Sequence, residues 1–63
     1  MIVYLNLQSG NFLQKLNVKQ VPRLDEVIII KNTMYRVVNV VYNFDINRTD
    51  IVINNISSEK GSK

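Results

Sequence analysis

Alanine, the strongest helix former, is absent from this chain, while valine and isoleucine supply most of its apolar residues. Branching at Cβ stiffens χ1 and suits a pleated surface, so the chain leans towards strands before any pattern is read. The nine asparagines scattered between the apolar runs fit turns, because Asn tolerates left-handed backbone. The expected class is all-β, with no substantial helix.

Size and chemistry narrow this further. Sixty-three residues allow one domain at most, near the lower limit for folding without disulfides or metal. With no Cys and no His, a disulfide framework and a zinc site of ordinary ligation are both excluded. A hydrophobic content of 46% is enough for a core and too much for a disordered chain.

Along the chain, residues 2–8 alternate cleanly, with Val3, Leu5 and Leu7 on one face and Tyr4, Asn6 and Gln8 on the other. Ser9-Gly10-Asn11 reads as a turn, with Gly10 able to take positive φ. Residues 12–18 form a second strand, expected to place Phe12, Leu16 and Val18 on a shared face. Pro22 bends the chain and biases Val21 to an extended conformation. The continuous run Val27–Lys31 reads as a strand covered on both faces or near a closed barrel, followed by a tight turn at Asn32-Thr33. Residues 34–42 are the longest strand. A bulge near Val38-Asn39 would put Tyr35, Val37 and Val40 together, as small barrels do when they bend a long strand. Residues 43–48 are a loop, and 49–54 a last strand with Ile51 and Ile53 on one face.

Short strands recurring about every ten residues indicate a small, strongly bent five-stranded barrel or meander over residues 1–55. An open sheet completed by a second copy of the chain is the alternative. Residues 56–63, without periodicity and low in apolar content, are expected to be a disordered tail.

The stretch Val21-Pro22-Arg23, a turn, a strand, a second turn, then Tyr35, Val37 and Val40 resembles a diffuse group of small SH3-like β-barrel proteins of bacteriophages and mobile elements. The resemblance spans roughly residues 18–53. Where that group places Gly in its turn, this chain has Leu24-Asp25-Glu26. The resemblance implies a fold and a phage context, in the cytoplasm of a bacterial host cell. It implies no activity.

Catalysis finds little material. The commonest general base and the thiol nucleophile are missing, and Asp25 and Glu26, being adjacent, point to opposite sides of an extended segment. Asp45 and Asp50 flank a loop without the ligand spacing of a calcium site. No enzyme, metal or cofactor is expected. No stretch approaches a membrane span, and the start lacks the pattern of a signal peptide.

Binding remains. For single-stranded nucleic acid, such as RNA, the relevant residues are Lys31, Arg36, Arg48, Tyr4 and Tyr42, which offer phosphate contacts and stacking. Arg36, between Tyr35 and Val37, is expected beside Tyr42 on the outer face of its strand. The net charge of +3 is modest for such a role. For a protein partner, a body this small cannot bury all its apolar side chains. Val38, Val41 and Tyr42, or Ile28 and Ile30, would then leave an apolar patch rimmed by Arg36, Arg48 and Asp50. The residues expected to meet a partner are Tyr42, Val41, Arg36, Arg48, Phe44 and Arg23. The sequence thus points to a non-enzymatic binding module for a larger host protein or ribonucleoprotein, such as an anti-CRISPR inhibitor. Alternatives are a nucleic-acid-binding protein, a minor virion component and a homodimer.

Overall fold

The computed structural model describes residues 1–56. It contains five strands: β1 (Ile2–Leu7), β2 (Phe12–Asn17), β3 (Val27–Ile30), β4 (Thr33–Asn43) and β5 (Arg48–Asn55). They form one sheet in the order β2-β1-β5-β4-β3, curled strongly into a half-barrel, as the all-β expectation required. No helix among the described residues is long and apolar enough to cross a membrane.

Neighbours in the sheet are consecutive in sequence except at its centre, where β1 runs parallel to β5. Val3 lies opposite Thr49, Leu5 opposite Ile51 and Leu7 opposite Ile53, so the clean alternation of β1 meets that of β5 on the concave face. Val3, Leu5, Val37, Ile51 and Ile53 are fully buried there, and Tyr35 nearly so. Each such side chain contributes roughly 1.5–3 kcal/mol by leaving water.

Two irregularities decide which residues join them. The register of β4 shifts between Val37 and Asn39, so Val38 is the extra residue of a bulge and Val40 lies opposite Ile51. This is the bulge expected from the sequence, and it returns Val40 to the face of Tyr35 and Val37. The second shift lies in the β1–β2 ladder, where Leu5 faces Gln14 but Asn6 faces Phe12. Leu13 packs against the core in place of Phe12, which is 54% exposed. The expected face of Phe12, Leu16 and Val18 therefore holds only for the last two, because the bulge reverses the alternation at Phe12.

β3 is not covered on both faces. It is an edge strand, with Ile28 and Ile30 against the core and Val27 and Ile29 turned outward. Its turn is Lys31-Asn32, one residue earlier than expected, with φ of 50° and 64°. Two consecutive left-handed residues match the twist of a two-residue hairpin. Lys31 therefore sits in the turn and not in the strand.

Residues 18–26 connect β2 at one edge to β3 at the other, with Val18 and Val21 packed against the core. The connection ends in a turn in which the Glu26 N–H donates to the Arg23 carbonyl at 3.1 Å. Asp25 takes φ of 71° there, the conformation for which glycine is usual. The Glu26 carboxylate caps the turn by accepting from the Arg23 N–H at 2.7 Å. Asp25 N–H then donates to the Val37 carbonyl at 2.8 Å, and Val37 N–H to the Glu26 carbonyl at 2.9 Å. It is thus the backbone of Arg23 that braces this bend. Among the described residues the one ion pair is Arg48–Asp50, so the Arg23 guanidinium forms none.

Asp25→Val is expected to lower stability by about 1–2 kcal/mol, the cost of left-handed backbone for a residue unable to bond locally. Asp25→Gly should hold the wild-type urea midpoint. Equal losses in the two variants would mean that something other than φ fixes residue 25.

At the far end, the Ile56 N–H donates to the Met34 carbonyl at 3.0 Å, and its side chain is buried. Ile56, the residue after β5, is thus fastened to the body by one backbone bond and its buried side chain. The rest of the expected disordered tail, residues 57–63, lies outside the described residues.

Candidate functional site

The chemistry-bearing side chains gather where β1 begins, β4 ends and β5 begins. The loop joining the last two is built by asparagines. Asn43 Oδ1 accepts the Asp45 N–H at 3.0 Å, opening the loop as a local turn. Asn47 closes it with φ of 52°, so that Arg48 pairs opposite Asn43. The Tyr42 hydroxyl donates to Asn47 Oδ1 at 2.7 Å and ties the strand end to the loop.

With its ends fixed in this way, the loop holds its apolar residues out in water. Phe44 meets the Tyr42 ring edge-on at a centroid distance of 4.7 Å, yet is 82% exposed. Ile46 is also exposed, as are Met1 and Ile2 across an open hollow. Tyr4, Tyr42, Asn47, Arg48 and Thr49 complete the lining of that hollow.

On the convex face the Arg48 guanidinium lies over the Tyr4 ring, 3.8 Å from its centroid. Its Nε and Nη2 both donate to Asp50 Oδ1, at 3.1 and 3.0 Å. The same oxygen accepts Asn6 Nδ2 at 3.0 Å. Phe12 extends the row, 6.3 Å from Tyr4 in a tilted arrangement. Alternation explains the assembly: Arg48 and Asp50 are two apart on β5, and Tyr4 and Asn6 two apart on β1. Parallel pairing sets Tyr4 opposite Asp50. A double-mutant cycle of Tyr4→Leu and Arg48→Met is expected to give a coupling of about 0.5–1 kcal/mol in urea unfolding. A coupling of zero would mean that the stack is absent in solution.

Of the residues singled out from sequence, Tyr4, Tyr42 and Arg48 share the hollow, Phe44 packs against the Tyr42 ring, and Val41 is exposed on the convex face of β4 opposite Asp50. Arg36 is elsewhere. It is exposed on the convex face as expected, opposite Val27 and Asn54, but not beside Tyr42. The bulge at Val38 lies between them and carries Tyr42, opposite Thr49, onto the face of Ile51. Lys31 is at the opposite end of β4, and Arg23 is in the β2–β3 connection. Ile28 and Ile30 contribute no patch, being packed on the core.

Met1, Ile2, Phe12 and Ile46 escaped the sequence reading. For Ile46 a signal was available: Phe44 and Ile46 stand in a short polar loop that no strand pattern buries. Among the described residues no three metal-ligating side chains come together.

Compared with known protein families, curated proteins and solved structures, the chain matches none.

Proposed function

We propose that this chain is a non-enzymatic binding module that occupies a surface of a larger protein or ribonucleoprotein. One observation carries the reading: the exposed group of Tyr42, Phe44, Ile46, Met1 and Ile2, bordered by the Arg48–Tyr4 stack. Aromatic residues, Met and Arg are the types enriched where protein interfaces are buried. Contiguous apolar surface of this kind, with a polar border, marks interaction sites on small proteins. A loop tied down at Asn43 and Asn47 presents the aromatics with little ordering left to do on binding.

The sharper form of the proposal rests on the resemblance to phage SH3-like barrels and on size. It makes the chain an inhibitor of host defence, of the anti-CRISPR kind, acting in the bacterial cytoplasm. Direct nucleic-acid binding is less favoured. Arg48, the cation nearest the aromatic rings, is already bonded twice to Asp50, and Arg36 and Lys31 are remote from it.

The test is capture from the native host on immobilised chain, repeated with Tyr42→Ala and Val41→Asp. A partner retained by the wild type and lost by both variants supports the proposal. A labelled oligonucleotide retarded at low salt, released steeply as salt rises and weakened by Arg36→Ala would replace it with the nucleic-acid reading.

A further inference from the structure

The two margins of the sheet differ in how they are protected. β2 carries a register shift near Leu13 and an exposed lysine, Lys15, in its middle, both of which discourage a further strand. β3 has neither: it is four consecutive β-branched residues with regular register, and Val27 and Ile29 are 45% and 68% exposed.

The direction of the backbone groups on β3 follows from its hairpin. Across a two-residue turn the flanking pair, Ile30 and Thr33, exchanges hydrogen bonds, and such pairs then alternate along an antiparallel ladder. Ile28–Tyr35 is the next bonded pair, and the bond from Val37 N–H to the Glu26 carbonyl continues the series. The N–H and C=O groups of Val27 and Ile29 therefore point away from β4, into the space beyond the sheet.

We propose that this edge pairs with the same edge of a second copy of the chain, antiparallel about a two-fold axis at Ile28. Val27 then lies opposite the copy's Ile29, and each such pair exchanges both of its backbone bonds. On the convex face the two exposed apolar side chains become direct cross-strand neighbours. What selects a copy over a foreign strand is charge. Asp25 and Glu26 stand in the turn before the edge and Lys31 in the turn after it, so antiparallel self-pairing brings the acidic end of each edge to the Lys31 end of its copy. The joined sheets leave the hollow at the Tyr42 end of β4 free, so the inference is independent of the proposed function.

Sedimentation equilibrium of the full chain over a range of concentration at low salt provides the test. The expected mass rises from that of the 7.3 kDa chain towards twice that value. Ile29→Pro removes an outward N–H that the internal ladder does not use, so its circular dichroism should be unchanged and its mass that of the monomer throughout. Lys31→Glu should weaken the dimer about tenfold or more without touching β3. Because the chain has no native Cys, oxidised Ile28→Cys should form a disulfide-linked dimer and Lys15→Cys should not. A wild-type chain that stays monomeric, a dimer that survives Ile29→Pro, or assembly past the dimer would overturn the proposal.

Discussion

Ile51→Ala is expected to remove about 2–5 kcal/mol of stability, a large fraction of the total. A domain of this length has roughly 3–9 kcal/mol to lose. Ile51 is fully buried at the sheet centre, opposite Leu5 on one side and Val40 on the other. Those neighbours belong to two different strands, and the sheet cannot close over the gap without separating β1 or β4 from β5. The control is Val40→Ala, on the same face but 38% exposed, for which a loss of less than about 1 kcal/mol is expected. Urea unfolding followed by circular dichroism measures both. Similar midpoints for the two variants would mean that the concave face is not closed at Ile51.

The second large effect concerns the binding surface. Phe44→Ala is expected to leave the urea midpoint nearly unchanged, because the ring is 82% exposed and touches the Tyr42 ring alone among the described aromatics. The same substitution should weaken a captured protein partner about thirtyfold or more, which corresponds to roughly 2 kcal/mol for an aromatic at the centre of an interface. Separation of the two readouts is the diagnostic point. A variant that loses stability and binding together would show that Phe44 supports the loop. A variant that loses neither would move the interface away from the Tyr42 end of the sheet.

Much of the architecture was legible because period-two alternation is a local property. β1 and β5 showed their buried faces without ambiguity, and the apolar surplus in β4 betrayed its bulge. The bulge in β2 left no such trace. Phe12 and Leu13 are both apolar, so either choice of inward face was consistent with the pattern, and only the pairing with Leu5 and Asn6 selects Leu13. The same limit affected the candidate site. Arg36 and Tyr42 share parity in the sequence, and the extra residue between them separates their faces. In β3, four apolar residues in a row read as a doubly covered strand, although position at the margin leaves half of them in water. The neighbour relation of β1 and β5 was beyond any local pattern, since parallel partners share no turn.

That central parallel pair also governs the order in which the molecule can form. The β1–β2 and β3–β4 hairpins close short loops, whereas the strand pairing that unites them runs through β5, the last of the five described strands. During synthesis, Val3 and Leu5 must wait for Ile51 and Ile53, and until then both hairpins expose the side chains that will form the core. Loop closure over nearly the whole chain precedes the reward, so refolding should be slow for so small a protein, in the millisecond-to-second range of high-contact-order β folds. Completion should be all-or-none, with the final strand acting as the closing step.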